Sequence, residues 1–162
     1  MNRPPLRQMI PHLLVVVVLA GIVIEGRRLG DTDAPALRVL SLPPCRLDLG
    51  SCRARVGESE WLDVSISPRP VPAGTPFSAS LSTHGVTVRA VEIEFEGTDM
   101  NMGLFRQPLS PQADGHFRAS VTLPVCATGT MRWHARLVVR TATETLVAPF
   151  ELTTGSMPQS GA

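Results

Sequence analysis

The chain contains no Lys and no Tyr, and all 15 of its basic residues are Arg. A Schiff-base Lys, a phosphate-loop Lys and a catalytic Tyr are therefore excluded by composition. Aromatic residues make up 4% and there are 4 His in 162 residues, one of them inside an apolar run, so imidazole-based catalysis has few residues to draw on. No G-x-S-x-G, H-E-x-x-H, C-x-x-C or glycine-rich phosphate loop occurs. These absences argue against an enzyme. A net charge of +1 gives no electrostatic footprint for a nucleic acid.

What is present begins with one long apolar run. Residues 9–24 read MIPHLLVVVVLAGIVI, with Arg3 and Arg7 before them and Glu25, Arg27 and Arg28 after. Sixteen helical residues reach roughly 24 Å, and flanking Arg side chains can snorkel toward the edges of a roughly 30 Å hydrocarbon core. The pattern predicts one N-terminal transmembrane helix within an anchor over 1–28. A cleaved signal peptide is the alternative, with Val18-Leu19-Ala20 as its small-residue pattern. The positive-inside rule then puts the N-terminus in the cytoplasm and the rest of the chain in the periplasm, as a single-pass protein of a bacterial inner membrane. From about residue 30 onward the chain carries 11 Arg and 13 acids, a formal net charge of −2. Cys45 and Cys52 lie in CRLDLGSC, a spacing that suits a disulfide in an oxidising compartment. Cys126 is the third cysteine and lies far along the chain from that pair.

From residue 52 the hydrophobicity alternates with period two. Leu62, Val64 and Ile66 alternate with Asp63 and Ser65; Phe77, Ala79 and Leu81 with Ser78, Ser80 and Ser82; Val91, Ile93 and Phe95 with Glu92, Glu94 and Glu96. Phe117 to Leu123, Met131 to Val139 and Leu146 to Leu152 continue the pattern. One dry face and one wet face are the signature of half-buried antiparallel strands. Turn signals separate the runs at Gly57-Glu58-Ser59, Pro68 to Pro76, His84-Gly85, Gln112 to Gly115 and Gly129-Thr130. The expected fold is all-β: an immunoglobulin-like antiparallel β-sandwich of about 7–8 strands preceded by the transmembrane helix. A closed barrel is the structural alternative. The domain would span 52–154, with 29–51 as a tether and Cys-containing lead-in loop and 155–162 as a disordered tail.

The local feature with chemical interest is Asp99-Met100-Asn101-Met102-Gly103, two thioethers in a polar turn. Thioethers select Cu(I), because sulfur is soft. If successive strands alternate in direction, the turn 97–103 shares its end of the sandwich with 125–130, 67–76 and 45–51. Met100, Met102, Cys126, Met131 and His134 then make a candidate copper site. If 104–109 is not a strand the parity flips, and His116 replaces Cys126. The competing roles are structural. Met131 continues the inward row of Trp133 and Ala135, and His134 faces outward between Arg132 and Arg136.

The stretch FEGTDMNMGLFRQPLSPQADGHFRASVTLPVCATGTMRWHARL combines a strand, a Met-bearing turn, a Gly-Xaa-Phe strand start and a G-x-M-x-W strand. With the short anchor and Pro-rich tether, this layout resembles the FixH and YtkA-like families of bacterial membrane-anchored periplasmic domains. The resemblance covers about a quarter of the chain and is architectural. It implies an accessory factor that handles copper for, or assembles, a haem-copper terminal oxidase. The partners would be the inner membrane and a complex such as that oxidase, with no nucleic acid involved. The alternative is a non-metal structural or protein-interaction module on a membrane anchor, offering a strand edge or the row Arg132, Arg136 and Arg140.

Overall fold

Glu92, Glu94 and Glu96 alternate with Val91, Ile93 and Phe95, and burial follows the same period: the three apolar residues are buried and the three acids are not. That alternation organises the whole domain. In a computed structural model, which describes residues 15–21, 35–126 and 129–155, the chain divides into a unit over 1–34 and a unit over 35–162. The second is all-β. Its strands are β1 (Ala36–Val39), β2 (Cys52–Arg55), β3 (Trp61–Ser67), β4 (Val71–Pro72), β5 (Phe77–His84), β6 (Ala90–Gly97), β7 (Leu104–Pro111), β8 (Phe117–Val121), β9 (Thr130–Arg140) and β10 (Glu144–Gly155).

The strands form one hydrogen-bonded path in the order β1-β10-β9-β6-β7-β8-β5-β3-β2, with β4 attached to β10. The path folds over where β7 meets β8 through only two residue pairs, Ser110 with Arg118 and Pro111 with Phe117. The two halves then close on one core as a half-barrel. Phe77 of β5 and Phe95 of β6 meet edge-to-face across it, with ring centroids 6.2 Å apart. Trp133 is sealed at its centre, where its indole Nε1–H donates to Thr154 Oγ1 at 3.0 Å, so the buried polar atom is satisfied.

The expected sandwich of 7–8 antiparallel strands is corrected here. Nine of the ten strands share one continuous path with β4 attached beside β10, and both β1 and β4 run parallel to β10. Neither carries a readable signal. ALRV has no alternation, and Val71-Pro72 is a two-residue strand inside a Pro- and Gly-rich stretch.

The tether is corrected as well. Residues 36–47 run along the outer side of β10, pairing Ala36–Val39 with Glu144–Val147 and Arg46 with Glu151. Between these contacts the chain leaves the sheet at Ser41-Leu42-Pro43-Pro44. The departure has a chemical cause in β10, where Pro149 has no N–H to offer. Leu40 N–H donates to the Val147 carbonyl before the gap, and Glu151 N–H donates to the Cys45 carbonyl after it. Leu40 and Leu47 are buried on either side. A Cys45–Cys52 disulfide ties this covering segment to β2, with Cα atoms 5.9 Å apart.

The transmembrane expectation is also corrected. In the first unit the described residues 15–21 are helical, a length of roughly 10 Å at 1.5 Å per residue. Among the described residues no helix is long and apolar enough to cross a membrane. The remainder of the 9–24 run lies outside the described residues, as does the tail from 156. The single-pass inner-membrane placement and the membrane-complex partner, both of which rested on that anchor, lose their support.

Candidate functional site

The sulfur residues are placed by alternation, and it separates them. Met131 points inward and is 1% exposed, while His134, three positions along the same strand, is exposed on the outer face. An odd spacing in a strand sends two side chains to opposite faces, so these two cannot hold one ion. Met131 packs its methyl end against Gly97. A Cβ there would collide with Met131 Cε and stand 2.6 Å from the Met100 carbonyl oxygen. Cys126 is buried, Met102 is half-buried against the core, and Met100 is 47% exposed. The 67–76 segment meets two other stretches of the chain: Gly74 N–H donates to the Leu123 carbonyl, and Arg69 Nε donates to the Leu47 carbonyl. Gathering the loops does not make a coordination sphere. Among the described residues no three His, Cys, Asp or Glu side chains could hold a metal ion. The copper cofactor, and the copper-handling and oxidase-assembly function built on it, are withdrawn.

On the outer face of β9 and β10 there is a concavity of about 610 Å³ lined by Arg46, Asp99, Arg132, His134 and Glu151 among others. Its charges are largely spent on one another. Asp99 Oδ1 accepts from Arg132 Nη2 at 2.6 Å and from Nε at 3.0 Å, and Asp99 Oδ2 accepts the Arg132 main-chain N–H at 3.1 Å. These bonds hold the Asp99 carboxyl below its ordinary value. Arg46 pairs with Asp48. Further along the face Glu94 takes Arg106 at 3.0 Å and Arg136 at 3.2 Å, because its register places it directly between them. The row Arg132, Arg136 and Arg140 is therefore not an open basic stripe, since the first two answer acids of this same domain.

The opposite layer carries a different face. Its outward positions on β3 and β5 include Ser65, Ser67, Ser78, Ser80 and Ser82 beside Trp61, Asp63 and His84, and the register sets Ser65 beside Ser80, Ser67 beside Ser78 and Asp63 beside Ser82. Beyond β5, β8 adds Arg118 beside Ser80 and Ser120 beside Ser78. Small side chains between long ones make a trough of about 650 Å³, floored by Ser65, Ser67, Ser80 and Ser82 and walled by Arg53, Arg69, Arg118 and His116. Asp63 is the carboxylate among its lining residues, and it binds Arg53 at 2.8 and 3.0 Å. Arg118 also reaches Asp114 outside the trough at 2.8 Å. The lining thus carries three Arg against one Asp, whereas residues 35–162 as a whole hold 11 Arg and 11 acids. At the rim Trp61 stacks on His84 at 3.8 Å with the planes 13° apart, and Arg53 Cζ lies 5.2 Å from the Trp61 ring centroid.

Sequence reading recorded these serines as the wet half of an alternation and stopped there. The available signal was their size: five outward Ser at one end of a strand pair leave a depression. That Arg118 and His116 border it depends on the β5–β8 pairing, which joins residues about 40 apart in sequence and is not legible locally.

No family model matches the chain, and no curated protein matches it. The resemblance to the FixH and YtkA-like families rests on its quoted residues alone. Among solved structures, the crystal structure of an engineered protein is similar at 17% identity with a TM-score of 0.41, over 59% of this chain and 20% of that one. This chain thus spans about a fifth of that chain's length, and at that score the likeness carries no argument.

Proposed function

We propose that the β domain is a binding module that takes an anionic ligand in the serine-floored trough, and that it acts by binding and not by catalysis. One observation carries this reading. Three guanidinium groups and a row of hydroxyls line one concave face that holds a single carboxylate, in a domain of zero formal charge; Arg53 and Arg118 are ion-paired with Asp63 and Asp114, and Arg69 has no carboxylate partner among the described residues. Guanidinium and hydroxyl donors are the set that recognises carboxylate, phosphate or sulfate oxygens. Arg53 is held in place by Asp63 and by the Trp61 ring, and a group already ordered loses less entropy on binding. Support for a non-catalytic role comes from the same bonds: Asp63 is engaged by Arg53, which leaves it no part in orienting His116 as a general base.

The test uses the full chain and inorganic polyphosphate as probe, followed by the fluorescence of Trp61 and Trp133. Saturable binding that weakens as salt is raised is expected. Replacing Arg69 and Arg118 together by Ala should weaken it about tenfold or more, the scale of lost charge-assisted hydrogen bonds. Binding that is unchanged in the double variant, with its melting temperature preserved, would overturn the proposal.

A further inference from the structure

We infer that the ligand of the trough is an acidic glycan, a hydroxyl-rich chain bearing carboxylate or sulfate groups. This rests on the anion-binding reading above and narrows it. The floor offers the hydroxyls of Ser65, Ser67, Ser80 and Ser82, with the Arg53-bound carboxylate of Asp63 beside Ser82. β3 is paired on both sides over Trp61–Val64 and β5 over Phe77–Leu81, while Ser65–Ser67 and Ser82–His84 each keep one side without strand pairing. An acidic peptide could add there as a strand, and polyglutamate is the probe that represents it. The apolar residues beneath the floor, Val64 and Ile66, are 0% and 1% exposed, so no pocket receives an apolar side chain. Nor is there a platform for a nucleobase. Trp61 has His84 stacked on its ring and Arg53 over it, whereas single-stranded nucleic acids are held by stacking their bases on open aromatic faces.

Each serine hydroxyl gives one donor and two acceptor positions, which matches the mixed donor–acceptor edge of a sugar. Cross-strand neighbours such as Ser65 and Ser80 stand about 4.8 Å apart in a sheet, so the hydroxyls form a lattice that a chain of sugar rings can follow. The guanidinium groups of Arg69 and Arg118 border that lattice, where an acidic substituent of the glycan meets them. Hydroxyl floor and cationic wall together describe one ligand chemistry, and neither alone selects it.

The experiment compares probes on the full chain by calorimetry: polygalacturonate, dextran sulfate, neutral dextran, polyglutamate and an oligothymidylate. Polygalacturonate or dextran sulfate should bind about tenfold or more tighter than polyglutamate and the oligothymidylate, with dextran weakest. Which of the two glycans binds better distinguishes carboxylate from sulfate. The double substitution Ser80→Ala and Ser82→Ala should remove most of the preference for glycans over polyglutamate. Equal binding of glycan and polyglutamate, indifferent to those serines but sensitive to Arg69→Ala, would overturn the glycan inference and leave the anion-binding module standing. Tighter binding of the oligothymidylate would overturn it in favour of a nucleic acid. Binding of every anion without any dependence on Arg69 or Arg118 would sink both readings. Ser80→Ala alone, on an outward and partly exposed position, serves as the second variant should the double one melt early.

Discussion

At the scale of single residues, Thr154 shows how the core tolerates a polar atom. It is fully buried, and its hydroxyl is the acceptor for the Trp133 indole N–H. Thr154→Val keeps the shape and deletes the acceptor. The expected loss is about 1–3 kcal/mol of unfolding free energy, the cost of an unsatisfied buried donor, read from the urea midpoint at unchanged slope. Residue roles of this kind were half legible in the sequence. The alternation put Met131 and Trp133 inward and His134 outward, and the structure agrees at all three positions. The same alternation already separated Met131 from His134, so a common ion site was in tension with the strand pattern that placed them. The trough residues were less legible. Arg118 and His116 are brought beside the serines by the pairing of β5 with β8, and nothing within a few residues of each marks its destination, whereas Arg69 follows Ser67 directly.

At the scale of elements, the segment 36–47 is the feature that sequence reading missed, because its hydrogen bonds come from β10, roughly a hundred residues later, and not from a neighbouring hairpin. The long strands were readable because a half-buried strand writes its two faces into its own sequence. Short strands that only cover an edge need no dry face, and ALRV is exposed throughout. The covering segment is held by the Cys45–Cys52 bridge as well as by pairing. Replacing both cysteines by Ala should lower stability by about 2–3 kcal/mol, the loop-closure entropy of a short ring. The measurement is chemical denaturation with and without reductant. Reductant should destabilise the parent chain and leave the double variant unchanged. Amide exchange should quicken first at Leu40 and Glu151, the two donors that flank the Pro149 gap.

At the scale of the whole molecule, ion pairs join parts of the domain that are far apart in sequence. Arg38 of β1 binds Glu144 at 2.8 and 2.9 Å, and Asp99 binds Arg132 across 33 residues. Hydrogen bonds from Arg38 hold the Glu144 carboxyl below its ordinary value of 4.5, those from Arg132 hold Asp99 below 3.8, and the His116 main-chain N–H does the same for Asp114. A carboxyl depressed in the folded state stabilises above its unfolded value and loses that contribution as pH falls through the folded one. The melting temperature should therefore be flat near neutrality and begin to fall below about pH 4.5. Glu144→Gln and Asp99→Asn together should flatten that acid limb, and an unchanged limb would show that other groups set it. The all-β character was legible in the sequence, while the membrane placement was inferred from an apolar run of which residues 15–21 are described. The outer edge of β10 also fixes a timetable. The edge that β1 covers exists only once Val147 has been made, about 110 residues after β1 itself. At about 5–20 residues per second, that is a wait of roughly 5–20 s during which the lead segment has no strand to pair with.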